Sequence, residues 1–96
     1  MELDAFQKHI EDMYYDRDHR RGTEGTFLWF VEEVGELATA IREGDAEDRR
    51  EEFADCLAWL ATLASLTGIR LEDAAGKYRD GCPRCGGTPC ECPEKP

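Results

Sequence analysis

Apolar residues recur at helical spacing in four stretches of this 96-residue chain. The first stripe consists of Leu3, Phe6, Ile10 and Met13. Its three- and four-residue intervals predict a helix from about Glu2 to Tyr15. The next ten residues, 16–25, are polar and contain two glycines, which predicts a loop.

The two central stripes predict a helical hairpin. One comprises Phe27, Val31, Val34, Leu37, Ala38 and Ile41, and the other comprises Phe53, Leu57, Leu60 and Ala64. Thr26 is an expected N-cap for the first of these helices, and Asp45 for the second. Gly44 marks the turn between them, and Gly68 the end of the second helix.

A short fourth helix is predicted by the apolar residues Leu71, Ala74, Ala75 and Tyr78. From Gly81 onward, prolines, glycines and cysteines exclude a regular helix, and no segment alternates as a strand would. The fold class expected is therefore all-α. It is a four-helix bundle built on the central hairpin (domain 1–80), followed by a Cys-rich tail over 81–96.

Charge narrows the possible partners. Twenty-two acidic residues against twelve basic ones give a net charge of −10. Such a surface disfavours nucleic acid and membrane surfaces as partners, and no apolar run is long enough to span a bilayer. With no signal peptide evident, we expect a cytoplasmic protein. A core this small also favours a homo-oligomer, either a dimer or a tetramer.

Two carboxylate pairs lie on the predicted hairpin. Glu33 and Glu36 are three residues apart on one helix, as are Glu52 and Asp55 on the next, so the members of each pair share a face. An antiparallel turn at Gly44 would bring the pairs together, which is unfavourable unless a cation lies among them. Four carboxylates suit Mg²⁺ or Mn²⁺. The alternative is a solvated acidic surface.

The cysteines of the tail suggest a second metal site. Cys82-Pro-Arg-Cys85 has the spacing of half a structural zinc site, and Cys90-Glu-Cys92 offers two further thiolates at tighter spacing. A site shared between subunits and a disordered thiol tail are the alternatives. If zinc binds, its role is structural, because four thiolates leave no open position for a substrate.

An arginine cluster and two tryptophans flank the carboxylates. Arg21 belongs to the basic group in segment 16–25 and could contact phosphate, although a solvated connector is the alternative. Trp59 follows Asp55 by one turn on the same face. Trp29 shares a helix face with Glu33 and Glu36.

At these residues the chain resembles a known family. The segments EEVGELATAI and EEFADCLAWL are similar to the Glu-Glu-x-x-Glu and Glu-x-x-Asp motifs of MazG nucleotide pyrophosphohydrolases. The resemblance implies an all-α, oligomeric, Mg²⁺-dependent hydrolase that converts nucleoside triphosphates to monophosphates and pyrophosphate.

The resemblance also implies roles for individual residues. Glu33, Glu36, Glu52 and Asp55 would hold the metal, and Glu32 would orient or deprotonate the attacking water or simply be exposed. Trp59 would stack on the nucleoside, and Lys77 would contact phosphate. Trp59 and, more so, Trp29 could instead be core or interface aromatics, and Lys77 could pair with Asp73 on its own helix.

Several functions remain open within these limits. The first is a pyrophosphohydrolase that removes unwanted triphosphates from the nucleotide pool. A dCTP- or dUTP-specific enzyme and a phosphoribosyl-ATP pyrophosphatase are alternatives of the same class. A noncatalytic metal-binding regulatory module is the alternative from a different class.

Overall fold

The computed structural model describes residues 1–95 and is all-α, with no strand among them. It contains three helices, α1 (Leu3–Glu43), α2 (Ala46–Leu66) and α3 (Leu71–Ala75), followed by a 3₁₀ turn over Gly76–Tyr78. The predicted all-α class is confirmed, but the predicted four-helix count is wrong. The first two predicted helices form one helix, and the last is a five-residue helix extended by the 3₁₀ turn.

The loop predicted over 16–25 is instead part of α1. Only Gly22 departs from helical geometry, with φ 80° and ψ 175°, and it bends the helix. A residue with a β-carbon would be strained at that φ, whereas glycine adopts it readily. Arginine is a good helix former, so Arg17, Arg20 and Arg21 did not exclude a helix over this polar segment. We call residues 3–21 the N-terminal arm of α1 and residues 23–43 its C-terminal arm.

Thr26, the expected N-cap, lies inside α1 and is completely buried. The predicted cap at Asp45 is confirmed. Its side chain accepts a hydrogen bond from the Asp48 backbone N–H (2.9 Å), and the Asp48 carboxylate accepts one from the Asp45 N–H (3.1 Å). This reciprocal capping box fixes the start of α2 directly after the turn at Gly44.

The N-terminal arm packs against the far end of α2. The Gln7 side-chain amide is buried and donates to Ser65 Oγ (3.1 Å) and to the Ile69 carbonyl (2.9 Å). Gln7 Oε1 accepts from the Leu71 N–H (2.7 Å), the first residue of α3. One side chain therefore joins the start of α1, the end of α2 and the start of α3.

The apolar core of a single chain is small. Within residues 1–95 the buried hydrophobic residues are Ile10, Ala40, Ala61 and Ala64. Most of the residues expected to form the hairpin core are instead substantially exposed, including Phe27 (53 %), Val31 (50 %) and Phe53 (57 %). Each hairpin helix contacts its partner along one strip and leaves the rest of its apolar face uncovered.

Among residues 1–95, no single helix is long and apolar enough to cross a membrane; only α2 together with segment 71–78, bent by 105°, meets those requirements as a pair.

Candidate functional site

The hairpin brings carboxylates from both helices together. Glu33 and Glu36 extend from the C-terminal arm of α1, and Glu52 extends from α2. One carboxylate oxygen of each lies within 4.8 Å of the other two. The turn at Gly44 brings the two pairs together as predicted, and it places Glu36 beside Glu52. We call these three residues the acidic cluster.

Two oxygens of the acidic cluster lack a hydrogen-bond partner within residues 1–95. Both Glu33 Oε2 and Glu52 Oε2 are buried from solvent. Burying a carboxylate oxygen without a compensating interaction is costly, and a bound cation supplies that interaction. The donor set consists of carboxylate oxygens, which are the ligands that Mg²⁺ and Mn²⁺ prefer, so the residues present fit such an ion.

Electrostatics supports the same conclusion. Burial raises the pKa of Glu33, and the negative charges of Glu36 and Asp55 raise it further. The pKa of Glu52 is raised first by burial and then by Glu36 and Asp55. Asp55 is therefore close enough to act on both groups, although it lies outside the acidic cluster itself. Without a cation, these carboxylates resist full ionisation.

Cys56 lies within the influence of the same carboxylates. Burial raises the pKa of its thiol, and the charges of Glu33, Glu52 and Asp55 add to the effect. A raised pKa keeps the thiol protonated and therefore unreactive at neutral pH.

A cavity of about 300 Å³ lies between the N-terminal arm and α2. Its lining includes Arg17, Arg21, Asp55 and Trp59. Asp55 thus borders this cavity and also acts on the acidic cluster. The cavity combines two cations, two aromatic rings and two carboxylates next to the candidate metal site. Its volume is at the lower end of the range typical of small-molecule sites.

Arg21 is held in this cavity by several contacts. Its guanidinium forms an ion pair with Asp18 (2.6 Å), and its Nε donates to Thr26 Oγ1 (3.4 Å). The guanidinium carbon lies 4.6 Å from the ring centroid of Trp59. Asp18 is buried and also accepts from Thr62 Oγ1 on α2 (3.2 Å). Arg21 is therefore oriented by its neighbours, unlike a side chain in a solvated connector.

The remaining candidate residues, Trp29, Glu32 and Lys77, do not line this cavity. The rings of Trp29 and Trp59 stack with centroids 6.1 Å apart and planes 13° apart. Glu32 is exposed, and it has the smallest effect among the charges that raise the pKa of Glu33. Lys77 Nζ lies 5.7 Å from the ring centroid of Tyr78, and the ion pairs found within residues 1–95 do not include one with Asp73.

Sequence reasoning missed Asp18 and Thr62 as members of this site. Asp18 was assigned to a loop, where its three-residue spacing from Arg21 carried no meaning. On a continuous helix the same spacing places the two side chains on one face. Recognising that α1 extends through this segment would have identified the ion pair.

The four tail cysteines form a second cluster. The Sγ atoms of Cys82 and Cys92 are 3.8 Å apart, those of Cys85 and Cys90 are 3.9 Å apart, and those of Cys82 and Cys90 are 3.6 Å apart. None of the four forms a disulfide. We call Cys82, Cys85, Cys90 and Cys92 the cysteine cluster. It and the acidic cluster could each bind a metal.

Hydrogen bonds shift the pKa values of two thiols of this cluster in opposite directions. Donation from the Glu91 and Gly87 N–H groups lowers the pKa of Cys85 to about 6. Hydrogen bonds to Cys90, Cys85 and Cys82 raise the pKa of Cys92 to about 11.

Comparison with known proteins identifies the family. A family model described as the MazG nucleotide pyrophosphohydrolase domain matches residues 21–85, which is more than half of the chain. The match contains the acidic cluster, Asp55, Trp59 and Lys77, and it extends into the tail as far as Cys85. No curated protein was found to match the chain. Because the family model spans both helices of the hairpin and the carboxylates they bring together, the chain belongs to the MazG nucleotide pyrophosphohydrolase family.

Proposed function

We propose that the protein is a Mg²⁺-dependent enzyme that hydrolyses nucleoside or deoxynucleoside triphosphates to the monophosphate and pyrophosphate. The observation that carries the proposal is the acidic cluster, with its buried, unpartnered oxygens on Glu33 and Glu52. Membership of the family supports it. Removal of unwanted triphosphates from the nucleotide pool is the role we propose for this activity.

Some residues of the site would bind the metal, and others would bind the nucleotide. Glu33, Glu36, Glu52 and Asp55 would hold Mg²⁺, which polarises the phosphoryl oxygens and acidifies water when bound. Arg21 would contact phosphate, held in place by Asp18, and Trp59 would support the base. Lys77 would contact phosphate and Trp29 would bind substrate. Glu32 would orient or deprotonate the attacking water.

Charge supports placing the nucleotide in the cavity that contains Arg17 and Arg21. A second cavity of about 410 Å³ borders Glu36 and Glu52, but all its charged residues are acidic. A triphosphate would be repelled there in the absence of several cations. The arginine-lined cavity instead contains two positive charges, which the carboxylates of Asp18 and Asp55 balance. A triphosphate is therefore repelled less there, and Trp59 adds an aromatic surface.

Exposed apolar surface supports a homo-oligomer, which we propose as a dimer or tetramer. Large hydrophobic side chains on both hairpin helices are 40–70 % exposed, among them Val31, Val34, Phe53 and Leu57. Exposed apolar side chains that recur at helical spacing on two neighbouring helices are typical of an interface. Val31→Asp or Phe53→Asp is expected to shift the protein to monomers in analytical ultracentrifugation, whereas Tyr15→Asp on the N-terminal arm leaves the mass unchanged. Wild-type monomers at micromolar concentration would contradict the proposal.

The catalytic proposal is tested by product analysis. Purified protein is incubated with a panel of canonical and damaged triphosphates, including dCTP, dUTP and phosphoribosyl-ATP, and pyrophosphate and orthophosphate are measured separately. Pyrophosphate release is expected only with Mg²⁺ or Mn²⁺. It is expected to be lost in Asp55→Asn and retained in Glu47→Gln, which alters an exposed glutamate that pairs with Arg50.

Orthophosphate as the product would contradict the proposed reaction. If no substrate on the panel is hydrolysed, thermal unfolding with Mg²⁺ and a nonhydrolysable triphosphate distinguishes the alternatives. Stabilisation that requires both ligands supports an enzyme with an untested substrate. Stabilisation by Mg²⁺ alone supports the noncatalytic metal-binding module.

A further inference from the structure

Metal binding by the cysteine cluster can be considered independently of the hydrolase activity. We propose that Cys82, Cys85, Cys90 and Cys92 of a single chain bind one Zn²⁺ ion in a closed tetrahedral site, and that this ion orders the C-terminal tail.

The distances between the sulfur atoms support a zinc site. A Zn–S bond is about 2.3 Å long, so the sulfurs of a tetrahedral tetrathiolate site lie about 3.8 Å apart. The three distances measured between the thiols are 3.6, 3.8 and 3.9 Å. Bonded sulfurs in a disulfide would lie about 2.05 Å apart. All four sulfurs also lie within 4.8 Å of one another, so the cluster has the dimensions of a zinc site.

Hydrogen bonds from backbone N–H groups to the sulfur atoms also support a zinc site. Cys85 Sγ accepts from the Gly87 N–H (3.4 Å) and from the Glu91 N–H (3.3 Å). Cys82 Sγ accepts from the Arg84 N–H (3.4 Å), and Cys90 Sγ accepts from the Cys92 N–H (3.3 Å). Donors of this kind offset the negative charge of metal-bound thiolates and fix their orientation.

The local fold explains how the short Cys-x-Cys spacing of Cys90 and Cys92 is compatible with a single four-cysteine site. The Gly86 N–H donates to the Cys82 carbonyl (2.7 Å), and the Cys82 N–H donates to the Gly87 carbonyl (3.0 Å). Gly86 has a φ of 76°, a conformation that glycine adopts readily and that closes the turn after Cys85. The chain then returns so that Cys90 and Cys92 complete the cluster. The Cys-x-Cys spacing is accommodated because the first two cysteines form a compact turn.

The same geometry decides between the alternatives left open by the sequence. All four donors come from one chain, so no second subunit is needed to complete the site. Segment 81–95 contains no fully buried residue, and its cysteines Cys82 and Cys92 are only half-buried. A segment without an apolar core depends on metal binding for its order. Soft thiolates favour Zn²⁺ over Mg²⁺, so this site does not compete with the acidic cluster for its cation.

The test is metal analysis of the full-length protein, purified under reducing conditions from cells supplied with zinc and then dialysed against a chelating resin. One zinc per chain is expected by elemental analysis and native mass spectrometry. Cys85→Ser and Cys90→Ser are each expected to lose the ion. Cys56→Ser, which alters the cysteine outside the cluster, is the matched control and is expected to keep it.

Circular dichroism of the same variants separates loss of zinc from general unfolding, because the helices should retain their signal when the tail loses its metal. Replacement of zinc by Co²⁺ in the wild-type protein should produce the intense visible bands of a tetrahedral tetrathiolate. Wild-type protein without bound metal would overturn the proposal, as would half a zinc per chain, iron in place of zinc, or retention of zinc by both serine variants.

Discussion

The acidic cluster and the cysteine cluster gather their donors in different ways. The carboxylates come from two long helices, and they meet because the turn at Gly44 sets the register between those helices. The thiols come from eleven consecutive residues, and local turns and backbone N–H groups bring them together. One cluster therefore depends on helix packing, whereas the other depends on local chain geometry.

This difference extends to the role each metal could play. Asp55 lines a cavity and also acts on the acidic cluster, so an ion held by these carboxylates would be accessible to a substrate. The proposed zinc site is closed by its four thiolates and has no position free for chemistry. An open carboxylate site on a packed scaffold suits catalysis, and a closed thiolate site suits stabilisation of a segment that has no core of its own.

The largest effect is expected when one cluster is mutated and both the activity and the zinc content are measured. Glu36→Gln should lower kcat/KM by at least about 100-fold, since even the outer-shell partners of metal ligands are worth about 10–100-fold, and should leave the zinc content unchanged. Cys90→Ser should lose zinc but keep kcat/KM within about threefold. Steady-state kinetics and metal analysis of the same preparations measure both. Equal loss of activity in the two variants would show that the clusters are coupled.

A smaller effect is expected on the nucleotide side of the site. Stacking of a base on an aromatic ring is worth about 1–3 kcal/mol, so Trp59→Ala should raise KM about 5- to 150-fold, with a smaller change in kcat. Trp59→Phe should recover part of the loss. Tyr15→Ala, which removes an exposed aromatic of the N-terminal arm, serves as the control in the same assay. An unchanged KM in Trp59→Ala would assign Trp59 to packing alone.

The dependence of stability on pH tests whether the carboxylates of the acidic cluster repel one another when no cation is bound. Burial and neighbouring charges raise the pKa values of Glu33 and Glu52 above 4.5 in the folded chain. Their stabilising contribution is therefore complete below about pH 4.5 and is lost as the pH rises through the raised values. The melting temperature of the Mg²⁺-free protein should fall over that range.

Added Mg²⁺ should reverse this trend, because it binds the ionised carboxylates and so stabilises the fold more as the pH rises. Differential scanning calorimetry with and without Mg²⁺, from about pH 4 to about pH 8, measures the difference. Glu33→Gln should flatten both curves. A stabilisation by Mg²⁺ that does not vary with pH would place the ion elsewhere.

The smallest expected effect concerns the hairpin turn. Asp45→Ala removes the side chain that accepts from the Asp48 N–H at the start of α2, which should cost about 1 kcal/mol of unfolding free energy. Urea unfolding followed by circular dichroism measures it. The zinc content should not change, because the cysteine cluster does not depend on α2. Asp16→Ala, at an exposed position in α1, is the matched control.

Features determined by local spacing could be predicted from the sequence. The Asp45 cap, the turn at Gly44 and the approach of Glu36 to Glu52 follow from residue types and intervals along one hairpin. The continuity of α1 could not be predicted in the same way. Two glycines and a run of charges favour a loop locally, and packing of the N-terminal arm on α2 overrides that preference.

The same limitation applies to burial and to the substrate side of the site. The apolar stripes were expected to form a core, but Val31 and Phe53 are at least half exposed in the single chain. Asp18 and Arg21 acquire their relation to Trp59 only when a distant segment folds onto α2. Pairwise spacing along the sequence contains no information about that contact.

The Gln7 side chain has a consequence for where this domain begins. The family match starts at Arg21, but Gln7 provides the partners for the Ile69 carbonyl and the Leu71 N–H at the junction of α2 and α3. A chain shortened to the matched residues would leave both groups to water, and it would also remove Asp18 from beneath Arg21. We therefore expect a stably folding unit to be longer than the family profile and to include the first turns of α1.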